Sequence, residues 1–364
     1  MKLFQQLLIA PAAIGLLAPL SVSASEINLE AISNYTDDTL EIDGDSFKQK
    51  SSNNNLLSGG EGLVESSDIT GGFSETTTAS FGVDFLVGAV DGASSESATF
   101  DYQMGIGLET SFTGEDSLSA TIDIGNASSA IGGADGLNFD STSDVLTLDG
   151  LTYTFPVGGA TVMVGDNTDI SGVYTGACSY SAFTDYMGNC GTGNSVGVGG
   201  NGATAAVSYA FDSGFSLAGG VSSTPTALLT EEGSDTFGIE AAYTADSYGL
   251  ALAYADAEST TYWGLNGTYA FDFATLSAGL ESQDDGTEAT GFFVGLSFAE
   301  VGAGSLDIGM GTTGNFADAD TEYYIYEASY AYPVNDSMTI TPGVYIREGT
   351  TDQTGFGVKT SFSF

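Results

Sequence analysis

Apolar and polar residues alternate with a period of two along most of the chain, from about residue 76 to its end. In the last stretch, Phe356, Val358, Thr360, Phe362 and Phe364 alternate with Gly357, Lys359, Ser361 and Ser363. Successive side chains of a strand point to opposite faces of its sheet, so this stretch is predicted to be a strand with one apolar and one small, polar face. The same alternation recurs at residues 81–87, 100–108, 237–243 and 292–298, and no stretch of helical period competes with it. We therefore predict a long all-β chain.

Short turns and longer acidic links alternate between the predicted strands. Residues 156–159, 212–214, 245–247 and 334–337 have the composition of tight turns, whereas residues 222–235 and 312–321 make longer links. This alternation is typical of a transmembrane antiparallel up-and-down β-barrel, and we predict about 16 strands. Its apolar face would meet lipid, and its last strand would close against the first near residues 81–87. Aromatic residues near strand ends favour the girdles of such a barrel, with the core of a soluble sandwich as the alternative.

The first residues have the pattern of a secretory signal peptide. Met1-Lys2 precedes a mostly apolar run, and small residues follow at Ser21 to Ser25. We predict a signal peptide over residues 1–24 with cleavage after Ala24 or one residue later, and a retained membrane anchor is the alternative. Residues 25–75 are polar and irregular, which predicts a periplasmic N-terminal extension or linker. Residues 76–364 form the predicted barrel domain, and export followed by insertion predicts a location in the outer membrane.

The charge balance excludes several function classes. The chain has 48 acidic residues against 5 basic ones, a formal net charge of −43. Such a surface repels phosphate backbones, so we exclude nucleic acid as a partner, whereas cations suit it. The chain has no histidine, which removes the Ser–His arrangements of hydrolases and histidine metal ligands. We therefore predict that the protein is not an enzyme.

The polar face of the predicted strands carries most of the candidate functional residues. If this face lines a lumen, its charges set the ions that the lumen favours, and rings of carboxylates favour cations. The alternative is a general acidity that adapts the protein to salty water. The predicted pore-lining residues are Asp84, Asp101, Glu109, Asp123, Glu240, Asp307, Glu327, Arg347 and Lys359.

Residues 165–201 form the longest irregular stretch within the predicted barrel. Long loops of this kind are commonly functional or disordered. Cys178 and Cys190 could close a disulfide within it in an oxidising compartment, which favours order. We predict that the stretch folds into the barrel as a constriction loop, and an extracellular loop stapled against proteases is the equal alternative. The predicted constriction residues are Asp166, Asp169, Tyr174, Tyr180, Asp185 and Tyr186.

One group of carboxylates suggests a metal site. Asp318, Asp320 and Glu322 alternate in sequence, and carboxylates that share a face can bind Ca²⁺. A hydrated acidic loop is the alternative. We predict no other cofactor.

Several segments resemble porins of marine cyanobacteria, a family related to carbohydrate-selective porins. The opening residues 1–13, the segment Glu26-Ile27-Asn28-Leu29 and the hairpin around residues 153–165 carry the resemblance. It implies a homotrimeric outer-membrane channel for small hydrophilic solutes, with the terminal Phe364 read by the barrel-assembly machinery. The family usually carries a surface-layer-homology domain before the barrel, and residues 36–75 are too short and polar for one.

Two functions from different classes remain after these exclusions. The first is a porin for passive diffusion of small hydrophilic solutes and ions, favouring cations. The second is a secreted or surface Gly/Asp-rich adhesin or surface-layer protein with a β fold. The nonapeptide repeat of calcium β-rolls is absent from the sequence, and predicted strands of about 10 residues suit a membrane span, so we favour the porin.

Overall fold

The structure, a computed structural model, describes residues 76–133, 136–196, 202–230, 233–313 and 322–364. The predicted signal peptide and N-terminal extension lie outside the described residues. Within them the chain forms sixteen strands. In order these are β1 (Thr77–Asp91), β2 (Thr99–Thr110), β3 (Ser117–Gly125), β4 (Thr147–Val157), β5 (Ala160–Thr168), β6 (Gly202–Ala210), β7 (Phe215–Ser223), β8 (Asp235–Thr244), β9 (Tyr248–Ala257), β10 (Thr260–Ala270), β11 (Thr275–Asp284), β12 (Glu288–Val301), β13 (Gly304–Thr312), β14 (Tyr324–Asn335), β15 (Met338–Arg347) and β16 (Gln353–Ser363).

The strands form one closed antiparallel barrel in which each strand pairs with its neighbours in sequence. The last strand, β16, closes the ring against β1 with a register that runs from Gly82 opposite Ser363 to Asp91 opposite Thr354. Closure leaves the sheet without an edge, so every strand is paired on both sides. The predicted up-and-down barrel and its strand number are therefore confirmed, as is the closure of the last strand against the first.

The register gives the barrel two chemically different faces. Large apolar residues are exposed on the outer face, including Val87 at 52% and Ile239 at 60% of their surface. Val358 of β16 pairs with Val87 and shares this face. The next residue, Lys359, pairs with the buried Leu86 and lies on the inner face. The alternation in the sequence thus sorts apolar residues outward and small or polar residues inward.

The connections differ between the two ends of the barrel. At the turn end, β4–β5 are joined by residues 158–159 and β14–β15 by residues 336–337. At the loop end, the β3–β4 loop spans residues 126–146 and the β5–β6 loop spans residues 169–201. Two connections at the loop end are short. Residues 258–259 join β9 to β10, with Glu258 in the left-handed region at φ 58°, and residues 285–287 join β11 to β12.

Aromatic side chains cluster on the strands at the turn end. Ring centroids lie 4.7 Å apart in the pairs Tyr209–Phe211 and Tyr269–Phe271, and 5.6 Å apart where the terminal Phe364 stacks on Phe81. Tyr and Phe at this position are typical of the interfacial girdle of membrane barrels.

The core lies inside the barrel and is built largely from loops. Ile131 and Phe139 of the β3–β4 loop pack with Phe183 and Met187 of the β5–β6 loop, and all four are buried. This cluster rests on inner-face residues of the strands, among them Leu86. The β5–β6 loop contains two 3-10 helices, Ile170–Val173 and Asp185–Gly191, and the short α-helix Gly193–Val196. Among the described residues no helix is long and apolar enough to cross a membrane.

Candidate functional site: the barrel interior

The register places all nine predicted pore-lining residues on the inner face of the barrel. Their surroundings differ. The carboxylates of Asp101, Glu240, Asp307 and Glu327 belong to residues that are at most 5% exposed. Asp84 and Asp123 are partly exposed, and Glu109 at the turn end is exposed. The interior carboxylates thus fall into a covered group and an open group, and a role in lining a pore stays a prediction for both.

Glu327 of β14 holds the middle of the β5–β6 loop. Its Oε1 accepts hydrogen bonds from the backbone N–H of Phe183 at 2.8 Å and the hydroxyl of Tyr180 at 3.1 Å. Its Oε2 accepts from the backbone N–H and the hydroxyl of Thr184, at 2.8 and 2.6 Å. Hydrogen bonds to an ionised acceptor are stronger than neutral ones, so four of them fix this part of the loop against the wall.

Two further glutamates hold the loop in the same way. Glu240 of β8 accepts from the backbone N–H groups of Thr175 at 2.7 Å and Gly176 at 3.2 Å. Glu281 of β11 accepts from the backbone N–H of Ser195 at 2.5 Å and from the side-chain amide of Asn194 at 3.0 Å. We call Glu240, Glu281 and Glu327 the anchor glutamates. They stand three strands apart around the wall. Glu281 was not among the predicted pore-lining residues, although it alternates on the same face as Gly279 and Ser277.

Small inner-face residues make room for the loop. A Cβ atom at Gly279 would lie 1.8 Å from the carbonyl oxygen of Cys190, and one at Gly343 would lie 2.4 Å from the ring of Phe183. Neither distance is sterically allowed, so only glycine lets the loop approach the wall this closely.

A disulfide and an aromatic contact further restrain the β5–β6 loop. Cys178 and Cys190 form a disulfide with a Cα–Cα distance of 5.7 Å. Tyr180 packs its ring on Phe293 of β12, with centroids 4.8 Å apart. The ordered loop therefore lies against the inner face of the barrel instead of extending away from it.

The β3–β4 loop enters the interior as well, which the sequence analysis did not predict. The hydroxyl of Ser129 donates to Asp101 at 2.5 Å, and the backbone N–H of Asp140 donates to the side chain of Gln103 at 3.2 Å. The two loops meet where the N–H of Asp185 donates to the carbonyl of Gly136 at 3.1 Å. Asp101 is thus covered by this loop and does not face open water.

The predicted constriction residues do not all share one position. Strand β5 continues to Thr168, so Asp166 lies in that strand and pairs with the outward-facing Leu151. This corrects the predicted start of the loop at residue 165, because strand pairing runs on past Gly165. Asp169 caps the first 3-10 helix by accepting from the N–H of Ser171. Tyr174, Tyr180, Asp185 and Tyr186 lie in the inward-folded loop, where burial raises the pKa of Asp185.

A second group of carboxylates lies on the part of the inner wall formed by β1–β4 and the adjoining β3–β4 loop. We call Asp84, Asp123, Asp140 and Asp149 the open-wall carboxylates. Gln103 donates to Asp84 at 2.9 Å, and Asp123 interacts electrostatically with Asp140 and Asp149. Burial and the neighbouring Asp149 and Asp84 raise the pKa of Asp140. Asp149 was not among the predicted pore-lining residues because it occupies a bulge in β4 that shifts the alternation.

Two cations accompany these carboxylates on the inner face. The guanidinium of Arg347 lies over the ring of Tyr186, 4.9 Å from its centroid, which is the geometry of a cation–π contact. Lys359 lies between Leu86 of β1 and Thr341 of β15 in the register, near the position of Asp84. Acidic side chains outnumber these cations on the wall.

Only one residue of the predicted calcium site, Glu322, lies within the described residues. Asp318 and Asp320 lie outside the described residues, and Glu322 accepts a hydrogen bond from the hydroxyl of Tyr324. Within the described residues no group of three or more Asp, Glu, Cys or His side chains is arranged to hold a metal ion. A calcium site at this loop stays a prediction.

Comparison with known proteins identifies the architecture. No protein-family model and no curated protein sequence matches the chain. Among solved structures, the chain is similar to OprB of Pseudomonas putida at high pH, with a TM-score of 0.63 and 13% identity over 79% of this chain and 94% of that one. It is similar to a mutant of the Rh. blastica porin with a TM-score of 0.55 and 17% identity, over 79% of this chain and 100% of that one.

These likenesses concern the fold. The chain is a 16-stranded β-barrel of the porin architecture, with an inward-folded loop and an acidic inner wall.

Proposed function

We propose that the protein is an outer-membrane porin through which small hydrophilic solutes and ions diffuse passively, with a preference for cations. The observation that carries the proposal is the closed 16-strand barrel with its exposed apolar outer face and polar inner face. An exposed apolar belt of this extent suits lipid, and barrels of 16 to 18 strands are wide enough to enclose an aqueous channel. An exported adhesin would have to keep the same apolar belt in water, which is unfavourable.

The predicted cation preference follows from the charge of the interior. The inner wall and its loops carry many more carboxylates than cations, and a cleft lined by one sign of charge concentrates ions of the opposite sign. We include small carbohydrates among the solutes because of the family resemblance in the sequence. The likeness to porin structures and the absence of histidine both support a channel over an enzyme.

The proposed porin would interact with three kinds of partner. The apolar outer face would contact outer-membrane lipid, the barrel-assembly machinery would read the terminal strand, and the barrel would form a homotrimer. The last two rest on the resemblance, and native mass spectrometry of the detergent-extracted protein would measure the subunit number directly. A monomer under mild detergents would contradict the trimer without affecting the channel.

Liposome swelling tests diffusion without assuming any charge preference. Vesicles containing the folded protein should swell in isotonic sugars, faster for pentoses than for disaccharides, because a constricted pore slows larger solutes. Protein that is denatured by boiling before reconstitution is the control. Vesicles with correctly folded barrels that do not swell in any small sugar would contradict the proposed function.

A further inference from the structure

We propose that solutes and ions cross the barrel along the β1–β4 side, where the open-wall carboxylates determine the charge preference, while the anchor glutamates only position the β5–β6 loop. The inference deepens the proposed porin function and rests on it. It distinguishes two sets of inner-face carboxylates that the sequence treats alike.

The β5–β6 loop covers much of the remaining inner wall. The β5–β6 loop leaves β5 with Ile170 and Val173 packed on Met163 of β5 and on Ala255 of β9. It continues past Asn266 of β10, whose side-chain oxygen accepts from the N–H of Ala177 at 3.1 Å. The loop therefore lies over the inner face of β5 to β10 and leaves little room for solute there.

The β5–β6 loop also covers inner-face positions on β11, β12 and β15. The hydroxyl of Ser179 lies 3.2 Å from that of Ser277 on β11, Tyr180 packs on Phe293 of β12, and Phe183 rests on Gly343 of β15. On the next strand, β16, Ile131 of the β3–β4 loop fills the space over Gly357. The anchor glutamates thus lie behind the loop, and each is at most 4% exposed.

Open space inside the barrel lies beside the open-wall carboxylates. A cavity of about 980 Å³ at the loop end is lined by Asn126, Ser128, Asp140 and Gln353. A second cavity of about 300 Å³ lies between β3, β4 and β5 and is lined by Thr121, Thr152, Asp149 and Asp169. Polar side chains line both, as a water-filled route requires.

The open-wall carboxylates connect these two spaces. Asp140 lines the larger cavity and Asp149 lines the smaller one. Asp123, on β3 between them, interacts electrostatically with both Asp140 and Asp149. Toward the turn end the inner face of β2 continues to the exposed Glu109. A cation that enters at the loop end would therefore meet carboxylates along one side of the barrel for most of its height.

The charge effect of this wall can be separated from its structural effect. Asn replaces Asp without a change in size, so the variant Asp84→Asn/Asp140→Asn/Asp149→Asn removes charge from partly or fully exposed positions. A unit charge about 7 Å from an ion in a water-filled pore changes its local concentration roughly two- to threefold. We expect the cation-over-anion permeability ratio to fall roughly fivefold or more for the triple variant.

The test is the reversal potential in planar bilayers under a KCl gradient, for the full-length folded protein. Glu240→Gln, which removes a covered charge, should shift the reversal potential much less than the triple variant. Asp256→Asn is the matched control, because this carboxylate pairs opposite the outward-facing Phe237. It should leave the reversal potential unchanged.

Conduction by the wild-type barrel tests the proposed function, and the reversal potential of the variants tests the permeation route. A wild-type barrel that conducts, with an unchanged reversal potential in the triple variant, would overturn the inference and leave the porin intact. A shift as large from Asp256→Asn would also overturn it. If the triple variant does not fold, Asp149→Cys can be modified in place with neutral and cationic thiol reagents, since both native cysteines are in the disulfide. The cationic reagent should lower the permeability ratio, and an unchanged ratio would overturn the assignment.

Discussion

The substitution Glu327→Gln tests how the β5–β6 loop is held inside the barrel. In the native protein each carboxylate oxygen of Glu327 accepts two hydrogen bonds from residues 180–184. Gln keeps one oxygen and replaces the other with an amide nitrogen, which donates and cannot accept. The backbone N–H of Thr184 would then face a donor, because no rotamer of the amide offers two acceptors.

The size of the effect follows from these contacts. Hydrogen bonds to a charged group contribute about 1.5–3 kcal/mol each, and Gln loses two of the four. The hydroxyl of Thr184 can turn and accept from the new amide, which recovers one of the two. Glu327 is only 4% exposed, so solvent screening does not reduce the remainder. We expect the local stability of the loop to fall by about 2–4 kcal/mol, including the cost of an unsatisfied N–H.

Amide hydrogen exchange reports this local stability. A loss of 2 kcal/mol corresponds to roughly thirtyfold faster exchange, since 1.36 kcal/mol is a factor of ten. We expect that acceleration in the peptide covering residues 180–184, measured by mass spectrometry on detergent-folded protein. Strand peptides on the far side of the barrel should exchange as before.

A matched variant identifies the cause. Glu109→Gln makes the same chemical change at an exposed inner-face position at the turn end. It should leave exchange in residues 180–184 unchanged. Equal exchange rates in Glu327→Gln and the native protein would refute the reasoning that this glutamate anchors the loop.

Three further predictions concern the loop and the terminal strand. Gly343→Val should push Phe183 off the wall, because a Cβ there would lie 2.4 Å from its ring, and thereby change the single-channel conductance; an unchanged conductance would contradict this contact. Replacing Cys178 and Cys190 with serine should remove about 3 kcal/mol of restraint and speed proteolysis of the loop, whereas equal cleavage rates would show that the disulfide adds nothing. Deleting Phe364, which stacks at the closing seam, should reduce assembly into heat-modifiable barrels; normal assembly would count against its role.

The barrel itself could be predicted because its signal is local. Alternation such as that of Phe356 and Val358 against Gly357 and Lys359 depends only on neighbouring residues, and it assigned the faces of the sheet correctly. The closure of the ring followed from the even, up-and-down order of strands and turns. Boundaries at irregular pairing were less accurate, as the continuation of β5 beyond Gly165 shows.

The interior could be predicted only in part. The partners of Glu327 lie more than 140 residues away in the sequence, so no local pattern distinguishes an anchor from a carboxylate that faces water. The burial of the β3–β4 loop was missed for the same reason. One signal was available: glycines pair with inner-face glutamates, as Gly309 does with Glu327 and Gly264 with Glu281. A small residue beside a covered charge indicates that another segment packs there.

Single-channel recording under a KCl gradient tests the central claim most directly. The account predicts discrete, long-lived conductance steps from the folded native barrel and a reversal potential whose sign shows that K⁺ passes more readily than Cl⁻. Folded barrels that insert into the bilayer without any conductance steps would contradict the claim that this protein is an open diffusion channel.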